Sequence, residues 1–449
     1  MRLFGTDGIR GKINRLPMTP ENVLRIGMAA AKVLRKDHGR NMVIIGKDTR
    51  LSGYMIESAL TSGICSMGMN VTLTGPLPTP GIAFLTRALR LDAGIVISAS
   101  HNPFEDNGIK FFAADGCKLP DELEGMMEEL VADDRLGSKR PSGADIGKTF
   151  RLEDATGRYI EYIKSTLPRG STLEGLKVVV DCANGAAYKV TPWVLRELGA
   201  DVITINDEPD GTNINANCGS LHLEGLCKAV RMHKADAGIA HDGDADRTLM
   251  CDEKGTVVDG DKILGLWAVL FKKEGRLRGN AVVSTVMSNL GLENYLERIG
   301  IKMLRTKVGD RFVAENMLQN GYVLGGEPSG HIICLDCNTT GDGPITALHV
   351  ISMMKKENTS LSRLVADIKL YPQILINVAI EKKADIKTFP EIAQAIKDAE
   401  ESLEGKGRII VRPSGTELKV RVMVEANEEK LADRCAHQVA GVIQQMLST

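Results

Sequence analysis

Four short segments of this chain bring together residue types suited to handling a phosphate. The first is Ser98-Ala99-Ser100-His101-Asn102-Pro103, directly after the apolar run 94–98. Open α/β sheets place ligands beyond the carboxyl ends of their strands, and a serine there can be a nucleophile or carry a phosphoryl group. Asn-Pro favours a fixed turn, and a plain strand-to-loop turn would look the same. Lys110, in Asn107-Gly108-Ile109-Lys110, brings a cation close behind. The second segment is Asp242-Gly243-Asp244-Ala245-Asp246-Arg247. Carboxylates at alternating positions of an extended loop converge on one hard cation, and such oxygens suit magnesium. No Gly-x5-Glu completion makes it an EF-hand. The third is Gly325-Gly326-Glu327-Pro328-Ser329-Gly330-His331. Glu327 and Ser329 can bond the hydroxyls of a polyol, and His331 can move protons near neutral pH. The fourth is Arg412-Pro413-Ser414-Gly415-Thr416-Glu417, with Arg421 close behind. Hydroxyls, backbone N–H groups and an arginine fork make a phosphate cradle; a hairpin turn is the plainer reading. Arg10, in Gly5-Thr6-Asp7-Gly8-Ile9-Arg10, and Lys307, before Gly309-Asp310-Arg311, are further cations.

The elements that must position these segments alternate. Apolar runs at 42–46, 94–98, 177–181, 236–240, 281–284 and 322–325 read as strands, with helical patterns between them at 19–36, 52–67 and 262–273. Thr19-Pro20-Glu21 is a helix start: a capping hydroxyl, a proline at the first helical position and a carboxylate in the first turn. Near-continuous apolar strands alternating with helices predict sheets covered on both faces. From residue 373 the pattern changes to strands at 373–380, 408–411 and 419–425, with helices after Phe389 and Glu428, an α+β arrangement. The expected architecture is three α/β domains with mixed or parallel sheets plus a C-terminal α+β domain around a central active-site cleft. The boundaries fall at 1–153, 154–253, 254–367 and 368–449, one chemical segment to each domain. The stretch 137–147 reads as a surface loop or linker.

The bulk numbers agree. At roughly 150 residues per domain, 449 residues make three or four. The 56 basic and 58 acidic residues leave a net charge of -2, which argues against a nucleic-acid or anionic-membrane partner. No apolar run reaches the roughly 20 residues that span a bilayer, and the opening residues lack a signal peptide's apolar core. Nine scattered cysteines fit a reduced, cytoplasmic protein. Cys334 and Cys337 form a lone CxxC without a second ligand pair, and read as buried or half-buried thiols.

In order along the chain, SASHNP, DGDADR, GEPSGH and RPSGTE resemble the signature segments of the α-D-phosphohexomutase superfamily. The opening FGTDGIRG and the GGEPSGH form are most similar to the bacterial members that act on glucosamine phosphates. The family's phosphate loop commonly has proline where this chain has Leu418. The resemblance implies a phosphoserine at Ser100, magnesium held by Asp242, Asp244 and Asp246 with an oxygen of Ser100, and sugar contacts from Glu327 and Ser329. It further implies a distal phosphate held by Arg412, Ser414, Gly415, Thr416 and Arg421. The implied reaction converts glucosamine 6-phosphate to glucosamine 1-phosphate through glucosamine 1,6-bisphosphate, supplying cell-wall precursors. A mutase acting on glucose or mannose phosphates, or a phosphatase using the same serine, are the alternatives. Arg10, Lys110 and Arg247 are candidates to stabilise charge, and Lys307 is expected to meet substrate. Lys110 and His331 are alternative proton carriers, because neighbours can shift either pKa towards neutrality, and the choice between them is open. A phosphosugar is the expected partner, and a homodimer is open.

Overall fold

The computed structural model describes residues 3–5, 7–36, 39–381, 386–413 and 418–447. Within them the chain forms two compact units, 1–287 with 304–366, and 288–303 with 367–449.

The first unit contains two α/β domains and most of a third, whose residues 288–303 fall in the second unit. The helix Pro20–Leu34 starts as its sequence predicts: Pro20 occupies the first turn and the Thr19 hydroxyl accepts from the Asn22 N–H. The first sheet is six-stranded. Its strands Ala93–Ile97, Met42–Lys47 and Asn70–Pro76 run parallel, and the first two are largely apolar and buried. Asp106–Ala113 then pairs antiparallel with Ala93–Ile97, and Ile9–Lys12 with Asp106–Ala113. The strand Asp106–Ala113 is absent from the sequence prediction, because its polar start, Asp-Asn-Gly, reads as a turn. Gly108 resolves the conflict: a Cβ there would lie 2.5 Å from the Ser98 carbonyl. The segment after residue 137 is mostly exposed and leads to Thr149–Arg151, which extends the sheet beside Asn70–Pro76.

In the second domain Lys177–Asp181 lies parallel to Asp201–Ile205 and to Ala237–His241, and Thr248–Asp252 returns antiparallel. In the third, Ala281–Thr285 runs parallel to Leu324–Gly326, which pairs antiparallel with Ile332–Cys334. These sheets are therefore mixed, with parallel centres and antiparallel returns that turn the chain around just past each site segment.

The second unit contains an antiparallel sheet in the order Gln373–Ala379, Lys419–Ala426, Gly407–Pro413. The helices Pro390–Ser402 and Glu429–Leu447 share a core with it, including Ile392, Val420, Val422, Val424, Ala436 and Val439. No described helix is long and apolar enough to cross a membrane.

Candidate active site

Ser100 lies just past the end of the strand Ala93–Ile97, and Asp242 just past the end of Ala237–His241. Both are almost fully buried. The Ser100 hydroxyl donates to Asp242 Oδ2 over 2.5 Å, and the His101 Nδ1 lies 3.3 Å from the same hydroxyl. Burial, with Arg247 and Arg10 nearby, lowers the His101 pKa to about 4. The two loops can approach this closely because of Gly243, where a Cβ would lie 2.7 Å from the Ser100 carbonyl. Ser100 and Ala245 both adopt left-handed backbone, with φ of 54° and 55°. Non-glycine residues take that conformation at a cost of roughly 1–2 kcal/mol.

The carboxylates of Asp242, Asp244 and Asp246 each bring an oxygen within 4.8 Å of the other two. Lys110 donates to Asp244 Oδ2 at 3.0 Å and to Asp246 Oδ2 at 3.3 Å. The Thr79 hydroxyl donates to Asp244 Oδ2 at 2.6 Å, and the Thr79 N–H donates to the Asp244 backbone carbonyl at 2.9 Å. The buried Oδ1 atoms of Asp244 and Asp246 have no hydrogen-bond partner among the described residues. Burial, reinforced by Asp246 and Asp244, drives the Asp242 carboxyl well above its ordinary range. Convergent hard oxygens, two of them unsatisfied, in a nest with excess negative charge, fit a divalent cation.

Lys110 departs from its sequence expectation. Burial alone would lower its pKa, but Asp244, Asp7 and Asp246 outweigh it and hold the ammonium well above its usual value, away from neutrality. His331 departs from its expectation as well: against its burial, Asp246, Asp310 and Glu327 raise its pKa to about 9, past neutrality. Its Nδ1 is 3.6 Å from Asp246 and its Nε2 3.8 Å from Asp310. The Gly341 N–H lies 3.1 Å from Nε2 and opposes a proton there. One neutral dipole is weaker than three carboxylates, so the imidazolium wins.

Arg10 pairs with Asp7 and reaches the Ala99 carbonyl at 3.4 Å. Arg247 lies with its Nε 3.7 Å from Asp246 Oδ1, and its pKa rises against burial under the pull of Asp246 and Asp242. The buried Nε atoms of Arg10 and Arg247 have no hydrogen-bond partner among the described residues, and neither does the Ser329 hydroxyl. Glu327 accepts from the Gly309 N–H at 3.1 Å, and burial raises its pKa. A cavity of about 330 Å³ opens beside this cluster, lined in part by Asp7, Lys110, Lys118, Asp246, Asp310 and His331. Lys307 is exposed, its ammonium 5.9 Å over the Phe312 ring.

In the second unit Arg412 and Arg421 sit directly opposite each other on neighbouring strands. Burial and the facing Arg421 lower the Arg412 pKa. Two like charges directly opposite on paired strands are unfavourable, and an anion beside them would offset that. Ser414, Gly415 and Thr416 lie outside the described residues. Leu418 is half exposed, and its carbonyl accepts from the Ile380 N–H.

Sequence reasoning missed Asp48, Arg50, Thr79 and Asn215, all of which touch the serine or metal loop. Gly46-Lys47-Asp48-Thr49-Arg50 ends a strand as SASHNP does, which was the available signal. Asn215 and Thr79 carried none.

The whole layout has parallels in known proteins. Phosphoglucomutase/phosphomannomutase family models match α/β/α domain I at residues 1–137, domain II at 157–255, domain III at 259–371 and the C-terminal domain at 375–442. The chain belongs to this family of phosphohexose mutases. The phosphoglucosamine mutase of Thermodesulfovibrio yellowstonii is 56% identical over 452 residues, covering 100% of both chains. Among solved structures, a phosphoglucomutase/phosphomannomutase family protein of Burkholderia thailandensis superposes with a TM-score of 0.81 at 22% identity, covering 99% of this chain and 97% of its own. The Aspergillus fumigatus N-acetylphosphoglucosamine mutase, solved with GlcNAc-6P and magnesium, gives 0.67 at 19% identity over 99% and 95%.

Proposed function

We propose that this chain interconverts α-D-glucosamine 6-phosphate and α-D-glucosamine 1-phosphate through a phosphoserine at Ser100 and a sugar 1,6-bisphosphate. The chemistry rests on one observation: the buried Ser100 hydroxyl bonds Asp242 beside two carboxylate oxygens with no hydrogen-bond partner among the described residues. The sugar rests on the full-length likeness to phosphoglucosamine mutases.

In the forward direction the bond from phosphorus to Ser100 Oγ breaks and a bond to the sugar O1 forms. The O1 proton leaves to solvent or to a neighbouring base, and Ser100 Oγ regains a proton. The bisphosphate reorients, and the bond from phosphorus to the sugar O6 breaks as one to Ser100 Oγ forms. The serine proton is given up, O6 takes one, and glucosamine 1-phosphate leaves. Phosphoryl transfer asks mostly for positioning and charge neutralisation. Magnesium on Asp242, Asp244, Asp246 and an oxygen of the phosphoserine would supply Lewis-acid polarisation of the transferring oxygens. Lys110, Arg10 and Arg247 offset the charge of the travelling phosphoryl group. His331, protonated in the cluster as it stands, is the proton donor we assign. Glu327 and Ser329 read sugar hydroxyls, Lys307 assists at the substrate, and Arg412 and Arg421, with Ser414, Gly415 and Thr416, take a phosphate.

The test is kcat/KM for glucosamine 6-phosphate against glucose and mannose 6-phosphates, with magnesium and traces of the matching bisphosphates. Preference for the glucosamine substrate supports the reading. Preference for another hexose phosphate moves the protein to a sister activity with the same machinery. Phosphate release matching sugar turnover would make it a phosphatase.

A further inference from the structure

We propose that Arg50, neutralised by Asp48 and assisted by Asn215, is the positioning residue that holds the backbone of Ser100 in place while its side chain gains and loses a phosphoryl group. The proposal deepens the mutase reading and rests on it.

Arg50 is 0% exposed and Asp48 is 1% exposed. A guanidinium has five N–H donors, and here each has a partner. Nε goes to Asp48 Oδ2 at 2.8 Å. One terminal nitrogen bonds the Pro103 carbonyl and the Asp106 carbonyl, the latter at 3.1 Å. The other bonds the carbonyls of Ser100 at 2.9 Å and Asn102 at 2.8 Å. Asn215, from the second domain, grips the same two carbonyls with its amide nitrogen, at 2.9 and 3.1 Å. The other side of the Ser100 peptide is held as well. Its N–H donates to the Ser98 hydroxyl at 2.9 Å, which in turn donates to Asp48 Oδ2 at 2.7 Å. The N–H and the C=O of Ser100 thus both trace back to one buried carboxylate.

This anchorage suits the demands of the cycle. Ser100 sits in left-handed backbone, a conformation that persists only where its surroundings over-determine it. During turnover its oxygen alternates between a neutral hydroxyl and a phosphate ester bearing up to two negative charges. A loop held only by the side chain would shift with that change. Arg50 has no donor left for the phosphate and its charge is balanced by Asp48, so it steadies the loop through backbone carbonyls, whatever the serine carries. Neighbouring residues fix the same segment to the second domain: the Thr49 hydroxyl donates to the Asn184 carbonyl at 2.5 Å, and the Leu51 N–H to the Gly211 carbonyl at 2.8 Å. Lysine keeps the charge but lacks the planar fork needed for four carbonyls.

Arg50→Lys tests this in the full chain. Misplacing the nucleophile by about 1 Å costs roughly 10²-fold in rate, so kcat should fall by about that factor while KM for the sugar phosphate stays within about threefold. Asn215→Gly removes two of the carbonyl bonds, tolerates the positive φ of that position and should lower kcat by about tenfold; it serves if Arg50→Lys fails to fold. Leu226→Ala, in the core of the second domain, controls for instability: it should lower Tm while leaving kcat intact below the transition. The phosphorus NMR line of Ser100 phosphorylated with a hexose 1,6-bisphosphate reads the same property without turnover, and it should shift and broaden in the Arg50 and Asn215 variants. Variants with kcat within threefold of wild type and an unchanged line overturn the proposal, as does a kcat loss that Leu226→Ala shares. Absence of turnover in the wild type would instead overturn the mutase reading, leaving the phosphorus line to decide the role of Arg50.

Discussion

The serine and metal loops and the paired arginines of the C-terminal sheet deal with charge in opposite ways. Around Ser100, charged groups are buried and interlocked: Arg50 with Asp48, Lys110 with Asp244 and Asp246, His331 beside Asp246. At the C-terminal sheet, Arg412 and Arg421 face each other across a half-buried strand pair. Opposite charges locked together in a buried site favour a fixed geometry at a large desolvation cost. Like charges held in register repel each other, and an anion between them would relieve that. The first arrangement suits the place where bonds are made, the second a place where a phosphate must come and go.

The sharpest way to break the comparison is at its centre. Ser100→Ala should reduce turnover by roughly 10⁴-fold or more, with the protein still folded, since only the hydroxyl's contacts with Asp242 and His101 are lost. Substantial mutase activity in that variant would remove the serine from its assigned role. Next in size is the cation. Chelation should abolish turnover and magnesium should restore it. At about 100 times its Kd a bound ion adds about 2.7 kcal/mol to stability, read as a rise in Tm. Asp244→Asn should lower activity by roughly 10²–10³-fold and remove that rise. A Tm indifferent to millimolar magnesium would contradict the fit of the trio.

The third prediction concerns His331 in the metal-free chain. Its pKa rises from 6.5 to about 9 on folding, so the folded state binds the proton more tightly than the unfolded state. That contribution is complete below about pH 6.5 and disappears as pH climbs through about 9, worth about 3 kcal/mol across the window. The stability of the wild type, relative to His331→Gln, should therefore fall by that order between pH 6.5 and 9 in denaturant melts. Parallel profiles for the two proteins would mean that the carboxylates around Asp246 do not govern this imidazole.

How much of this was legible in the sequence depends on the kind of residue. Type and spacing made Ser100 and the three aspartates candidates, while a plain turn would look the same in sequence; the fold adds that the Ser100 hydroxyl bonds Asp242 and that the three carboxylates converge. The four-domain order followed from the alternation of apolar runs and helical periods. The strand Asp106–Ala113 was not legible, because an antiparallel edge with a polar start has no apolar signature until its partner is known. Arg50 and Asn215 were hidden for a related reason. They act on carbonyls 50 to 115 residues away in the chain, and a side chain that bonds backbone leaves no mark on the sequence it holds. The direction of the Lys110 shift needed the distances to three carboxylates, which only the fold supplies.

The smallest effect tests the other half of the comparison. Replacing Arg412 with methionine removes one of two facing like charges while keeping an unbranched side chain for packing. Like charges directly opposite on paired strands are unfavourable by roughly 0.2–1 kcal/mol, so the unliganded chain should gain that much stability in a denaturant titration. The same change should raise KM for the phosphosugar by roughly tenfold or more, since a charge-assisted bond to phosphate is worth about 1.5–3 kcal/mol, with a smaller effect on kcat. A residue whose loss stabilises the protein and weakens its substrate is held in place for binding. Loss of stability with KM unchanged would assign Arg412 to the sheet and leave the phosphate to other groups. In the serine loop Arg50→Lys should behave oppositely, lowering stability and kcat together with KM nearly constant, so the two arginines separate a group that fixes a geometry from one that waits for a ligand.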